Sequence, residues 1–371
     1  MALKVSRTLG LFAALLVMAT GCDDPKPIEV GFIGGLSGRV SDLGVAALDG
    51  VRLAIEEQNR KGGIYGHPIQ LTVEDDKQDP EAAKAAFDAL AARHVEAIIG
   101  PVTSAMATSL APTANEHRIV LLSPTVTTRE LTGRDDYFLR IMADTSQYAE
   151  ASARFHWQQR KIKSFIILAD QLNQSYTASW AKDFSAAYEG LGGKVLQTLS
   201  FNSGQVGDFG ALSRQAMATH AEAVLILANA TDAAQLCQQI RLINPNIPLV
   251  MSEWAATERF VELAGPAAEG VFTSQFVDRE SDQPAYVAFR RLFLDRFQQE
   301  PGFAGIAGYD AGIVLLTALR QRDGGESLRD AVLRIGDFQG LQGPIHIDRF
   351  GDSWRPTFIT TIRDGKYRRT N

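Results

Sequence analysis

The sequence predicts an α/β protein of two lobes, each a mostly parallel sheet flanked by helices. Strand-like apolar runs alternate with helix-like runs from Ile28 nearly to the C-terminus, the pattern of parallel strands joined by crossover helices. After Tyr148 the rhythm starts again, so two sets of elements are present. The length, 371 residues of which 45% are hydrophobic and 22% charged, fits two cores of ordinary size. No low-complexity linker separates the halves, so short hinge crossings are expected near Asp144, Thr273 and Gly343. The halves share rhythm but no residue-level repeat.

In the first half, Ile28 to Gly34 is a short apolar run ending in glycines, read as a strand. Ala46 to Asn59 carries the 3.6-residue period of a helix, with Val51, Leu53, Ala54 and Ile55 on one side. Ile69 to Glu74 alternates as a strand, and Pro80 to Arg93 is an alanine-rich helix. Val95 to Ile99 reads as a buried strand, Ser104 to Asn115 as a helix and Ile119 to Leu122 as a strand. In the second half the strands are Ser164 to Leu168, Lys194 to Leu199, Val224 to Leu227 and Pro248 to Met251. Helices at Tyr176 to Leu191, Phe209 to Thr219 and Ala233 to Ile243 separate them. Late in the chain, Ala285 to Gln298, Tyr309 to Gln321 and Ser327 to Ile335 read as helices. Strands at Ile345 to Asp348 and Thr357 to Ile362 flank a turn at Arg349-Phe350-Gly351-Asp352, and Asp364-Gly365 signals another turn.

The N-terminus carries an address. Lys4 and Arg7 form a basic region, Leu9 to Ala19 is an apolar run short for a bilayer, and Ala19-Thr20-Gly21 precedes Cys22. This order resembles a bacterial lipoprotein signal, whose cleavage after residue 21 leaves Cys22 as the lipidated first residue. Ala19 departs from the commoner leucine there, and an ordinary cleaved signal with an incidental cysteine is the alternative. No second apolar run reaches membrane-spanning length, so the lipid is the expected membrane anchor. The 43 acidic and 37 basic residues give a net charge of −6, and losing Lys4 and Arg7 takes that to −8. A mildly acidic surface argues against nucleic acid or anionic lipid as partners. Cys237 is the other cysteine and sits in a helical run as a packing residue.

Catalytic signatures are missing. The six histidines are scattered without an HExxH, and no cysteine–histidine cluster suits zinc. Arg39 replaces the second glycine that a nucleophile elbow around Ser37 would need. With neither a Walker loop nor GxGxxG after a strand, no cofactor is expected.

What remains is hydroxyl-rich turns at strand ends, where open α/β sheets place their ligands and helix N-termini offer free amides. Ser104, entering a helix after Ile99-Gly100, is placed either to hold a ligand carboxylate or simply to cap that helix. Thr125 and Thr127 follow the next strand, and Thr127 with Glu130 also reads as a capping box. Two such turns after adjacent strands converge on one anion. In the second half, Glu253-Trp254 after a strand suits an ammonium, one residue for charge and one for an aromatic face; a solvated loop glutamate is the plain alternative. Tyr176, beyond another strand of that half, is placed to cover the ligand.

These residues together resemble a family. Gly31-Phe32-Ile33-Gly34-Gly35-Leu36-Ser37-Gly38, Asp49-Gly50-Val51-Arg52-Leu53-Ala54 and Asn59-Arg60-Lys61-Gly62-Gly63-Ile64 come first. Asp75-Asp76 before Asp79-Pro80, Ile99-Gly100-Pro101 with Ser104, Ser123-Pro124 with Thr127, and Gly308-Tyr309-Asp310-Ala311 follow in order. From about Ile28 to Tyr367 the chain resembles the periplasmic binding proteins of branched-chain amino-acid and amide ABC transporters, of the type I fold. The resemblance implies that the ligand carboxylate meets Ser104 and the Thr127 amide. It implies that the ammonium meets the Thr125 carbonyl, the Thr127 hydroxyl and Glu253, with Tyr176 contributing from the second lobe. Leu43 stands where an aromatic often covers the ligand in leucine and isoleucine binders, which leaves side-chain specificity open. Some relatives join the turn before Asp79-Pro80 to the Ser104 loop by a disulfide; here Gln78 and Thr103 stand there.

The expectation is therefore two Rossmann-like lobes joined by a three-crossing hinge. A signal peptide at 1–21 and a tether at 22–27 precede one lobe of 28–143 and 278–342 and a second of 144–277 and 343–371. The chain is expected to be a monomeric, lipid-anchored periplasmic protein that delivers a small ligand, an amino acid, to an ABC permease and catalyses nothing. A ligand sensor of the same fold, or a binder of an amide, urea or aromatic acid, is the alternative.

Overall fold

A computed structural model describes residues 25–205 and 208–370. The leader and the first half of the expected tether, Cys22 to Asp24, lie outside the described residues. In chain order the first elements are β1 (Ile28–Gly34), α1 (Ser41–Arg60), β2 (Ile69–Asp75), α2 (Pro80–Ala92), β3 (Ala97–Ile99), α3 (Ser104–His117), β4 (Val120–Ser123) and β5 (Phe138–Arg140). Next come α4 (Thr145–Gln158), β6 (Ser164–Asp170), α5 (Gln174–Gly190), β7 (Lys194–Phe201), α6 (Phe209–Met217), β8 (Ala223–Leu227), α7 (Ala230–Ile243), β9 (Leu249–Met251), α8 (Glu258–Ala264) and β10 (Phe272–Gln275). The chain ends with α9 (Pro284–Phe297), α10 (Gly302–Gln321), α11 (Leu328–Ile335), β11 (Asp337–Gly340), β12 (Gly343–Ile347), β13 (Ser353–Trp354), β14 (Phe358–Arg363) and β15 (Lys366–Arg369).

Two sheets organise the lobes. The first runs β2-β1-β3-β4-β5, all parallel. The second runs β15-β14-β10-β9-β8-β6-β7, parallel except where β14 and β15 add antiparallel strands at one edge. Central strands such as β8, Ala-Val-Leu-Ile-Leu, are apolar throughout because helices cover both faces. Asp364-Gly365 forms the two-residue loop between β14 and β15, both residues with positive φ as a type I′ turn requires.

The chain passes three times between the lobes. After β5 it runs through 141–144 into α4, and after β10 it runs from Phe276 toward α9, just beyond the expected Thr273. The third passage differs from expectation. Gly343 begins β12, which pairs with β11 and β13 in a small separate sheet, and only after Trp354 does the chain return to the second sheet as β14. Residues 343–354 thus stand apart from the second lobe: the Arg140 amide of the first sheet donates to the Gly351 carbonyl, and the Arg140 guanidinium meets Asp352 at 2.6 Å. The turn at Arg349-Phe350-Gly351-Asp352 is present, but the strand that follows it and pairs with β12 is Ser353–Trp354, and the expected strand at Thr357 to Ile362 is β14 of the second sheet. At the passage itself Arg355 is buried against Asp310 at 2.7 Å and lies over the Phe276 ring.

Helix α10 corrects a second reading. It is long and apolar enough to cross a membrane, yet most of that stretch is buried inside the fold. It packs on α1 at glycine contacts: a Cβ on Gly308 would stand 2.0 Å from the Ala47 carbonyl oxygen, and one on Gly50 would stand 2.1 Å from that of Gly305. Cys237 is fully buried in α7, and burial pushes its thiol up to about 12.

Candidate functional site

The site is built on strand ends of both sheets, where they face each other. After β3, Gly100 has φ of 121°, and a Cβ there would meet the Ile33 carbonyl oxygen at 2.0 Å, so only glycine takes this turn. The turn delivers Ser104 as the first residue of α3. Thr103, not Ser104, holds the N-cap position, and neither caps the helix with its side chain. Thr103 Oγ1 instead donates to Gln78 Oε1 at 2.9 Å, so a hydrogen bond ties the two loops where the resemblance places a disulfide in some relatives. Ser104 is buried, and its hydroxyl makes no hydrogen bond among the described residues. The neighbouring amide of Ala105 donates to Asn173 Oδ1 of the second lobe at 2.9 Å.

The turn after β4 is fastened to the one after β3. Ser123 Oγ donates to the Pro101 carbonyl at 2.7 Å, and Thr125 Oγ1 donates to the Val102 carbonyl at 2.6 Å. The two hydroxyl-rich turns are therefore one unit. Thr127 is buried and does not form the capping box read from Thr127 and Glu130; Thr128 accepts the Glu130 amide, capping the short turn at Arg129–Leu131. That frees the Thr127 hydroxyl to point across the cleft, where it lies 3.4 Å from Glu253 Oε1.

In the second lobe, Glu253–Ala255 is a single 3-10 turn following β9. Glu253 is 3% exposed, which removes the solvated-loop alternative. Its Oε2 accepts from Trp180 Nε1 at 3.0 Å, and among the described residues no cation lies within ion-pair distance. Burial raises its carboxyl to about 7, against the hydrogen bonds that favour the ion. The Tyr176 hydroxyl faces Glu253 and Ser252 but makes no hydrogen bond of good geometry, and burial, with the same carboxylate, pushes it well up. Trp254 meets the Tyr176 ring edge-on, centroids 5.6 Å apart.

Thr127, Tyr176, Glu253 and Trp254 are thus brought together. Ser104 and Thr125 lie on the facing turns, and Leu43, buried in α1, belongs to the apolar cluster that includes Val102, Tyr176 and Trp254. Other contacts across the cleft were not legible in sequence. Arg39 pairs with the buried Asp232, Asp42 accepts from Thr257, Thr128 donates to the Ser175 carbonyl, and Arg129 pairs with Asp183. The lobes are closed on each other. Only Trp180 carried a usable sequence signal, standing one helical turn beyond Tyr176 on the same face. Two cavities lie elsewhere. One of about 880 Å³ lies among α8, α9, α10 and β15, and one of about 320 Å³ is lined by Arg160, Arg363 and Arg369. No group of three or more candidate metal ligands occurs among the described residues.

Comparison with known proteins identifies the family and the fold. The sequence profile of the periplasmic binding protein family matches residues 27–366. The leucine-, isoleucine-, valine-, threonine- and alanine-binding protein of Pseudomonas aeruginosa is 23% identical over 346 residues, 92% of each chain. The branched-chain amino acid substrate-binding protein LivJ of Streptococcus pneumoniae, solved with isoleucine, superposes with a TM-score of 0.85 at 22% identity, over 93% of this chain and 99% of that one. A solute-binding protein of R. palustris solved with benzoate gives 0.84 at 19% identity, over 92% and 95%.

Proposed function

The chain belongs to the periplasmic binding protein family, and from that premise we propose that it captures an α-amino acid between its lobes and hands it to an ABC permease. The observation that carries the ligand class is Glu253. It is a buried carboxylate with no cation within ion-pair distance among the described residues, set opposite two turns rich in hydroxyls and amides. A ligand that brings an ammonium to Glu253 and a carboxylate to Ser104 and the α3 N-terminus satisfies both sides. In this reading the Thr125 carbonyl and the Thr127 hydroxyl complete the ammonium site, while Tyr176, Trp254 and Leu43 enclose the remainder. Benzoate, held by one protein of this fold, would set a second negative charge toward Glu253, so the same argument disfavours it here.

Binding is coupled to closure: the ligand bridges turns of opposite lobes and so stabilises the closed form, which the permease reads. Nothing in the arrangement calls for turnover of the ligand. The protein works outside the cytoplasmic membrane, held there by a lipid on Cys22, with 28–143 and most of the segment after 278 forming one lobe and 144–277 with the last strands the other.

Calorimetry tests the ligand class. L-Leucine, L-isoleucine and L-valine should each bind more tightly than their des-amino acids and than benzoate. A carboxylate lacking the ammonium that binds more tightly than every amino acid overturns the reading.

A further inference from the structure

Trp180 is fully buried on α5, and its indole is fixed by stacking. Its ring lies 5.7 Å from Phe184, which lies 5.2 Å from Tyr188, and the Tyr188 hydroxyl donates to the Ile162 carbonyl. These rings stand four residues apart along one helix face, so the ladder holds the indole N–H in one direction. That direction is Glu253 Oε2, at 3.0 Å.

We propose that Trp180 is a positioning residue that divides the labour between the two Glu253 oxygens, clamping Oε2 so that Oε1 faces the cleft and the ligand's ammonium. The inference rests on the reading of Glu253 as the ammonium partner and adds a residue that does not touch the ligand. Three features support it. Both members of the clamp belong to the second lobe, so the clamp survives opening, whereas the Thr127 contact to Oε1 crosses the cleft and does not. The indole N–H only donates, so it favours the ionised carboxylate and opposes the burial that raises its pKa. The remaining titratable groups facing Glu253, Tyr148 on α4 and Tyr176 on α5, are phenols that burial keeps neutral, with Arg140, Arg355 and Asp144 beyond Tyr148.

The test is Trp180→Phe, which keeps a ring on Phe184 and removes the donor. Calorimetry with L-leucine should show affinity falling about ten- to a hundredfold, the range for losing a hydrogen bond to a charged group. In a Glu253→Gln background the same substitution should change affinity by no more than about twofold, because a residue acting through the carboxylate has nothing left to act on. A merely structural tryptophan would cost the same in both backgrounds, and that result overturns the inference. The unliganded protein gives an independent reading. The ionisation midpoint of Glu253, followed by carboxyl-carbon NMR, should rise by about one pH unit or more in Trp180→Phe. An unchanged midpoint sinks the Trp180 assignment whether or not leucine binds, and a wild type that binds no amino acid sinks the functional reading alone.

Discussion

Asn173 occupies the N-cap position of α5 yet makes no side-chain cap there; its Oδ1 accepts the amide of Ala105, 2.9 Å away at the head of α3 in the opposite lobe. One lobe therefore caps a helix of the other. This satisfies an orphan amide at the place where a ligand carboxylate is proposed to sit, and only in the closed form. Losing a helix cap costs about 0.5–2 kcal/mol. Asn173→Ala should thus weaken amino-acid binding about two- to thirtyfold by destabilising closure. Small-angle scattering of the unliganded variant should show a larger radius of gyration than wild type; identical curves would mean that the cap does not hold the lobes together.

Ser104 is the first residue of α3 rather than its cap, and its hydroxyl makes no hydrogen bond among the described residues. Ser104→Ala should therefore leave the unliganded melting temperature nearly unchanged while weakening ligand binding about ten- to a hundredfold. Loss of stability with unchanged affinity would return Ser104 to a structural role.

Glu253 gives two opposite pH dependences. Burial raises its carboxyl from 4.5 to about 7, so between those values the folded, unliganded protein holds a proton that the unfolded chain has released. Its contribution to stability is full below 4.5 and is lost as pH rises through 7. Asp76, raised to about 6, adds a slope of the same sign. His156, lowered to about 3 by burial, adds the opposite one below 6.5. The difference between wild type and Glu253→Gln isolates the glutamate in denaturant melts across pH 4.5–8. Ligand binding runs the other way, because an ammonium requires the ionised form: leucine affinity should fall below pH 7, toward tenfold per unit. At pH 8, Glu253→Gln should cost about 2 kcal/mol or more of leucine binding and far less for the des-amino acid.

The glycine contact between α1 and α10 predicts a stability effect remote from the cleft. Gly308→Ala forces a methyl into the Ala47 carbonyl and should cost about 1–3 kcal/mol in denaturant melts. Gly190→Ala, with open space at the end of α5, should be neutral or stabilise by up to about 1 kcal/mol. Equal effects at both sites would contradict the packing described.

Cys22→Ser tests the anchor. The variant should leave the membrane fraction or remain unprocessed; normal processing with intact membrane association removes the lipid proposal.

Much of the fold was legible because strand-helix alternation repeats apolar periodicity over long segments. β8 and α2 match their expected bounds within a residue. What failed to show was short or tertiary in origin. β13 has two residues and β5 three, and α4, with His156 and Ser152 on its buried side, lacks a clean apolar stripe. At the site, strand-end position and residue chemistry picked out Ser104, Thr127 and Glu253. Asn173 and Arg39 escaped because each acts across the cleft, on a partner that only the closed arrangement brings near.

The α1–α10 contact also sets an order of events during folding. Tyr309 on α10 hydrogen-bonds Glu57 on α1, 252 positions away in the sequence. A chain emerging N-terminus first exposes the apolar face of α1 long before its partner exists, while α4 to β10 already supply most of the second sheet. The lobe that begins the sequence thus waits for α10, and joining α10 to α1 carries the loop entropy of the long segment between them. A chain arrested before α10 would keep α1 uncovered, open to chaperones and to passage through a membrane pore.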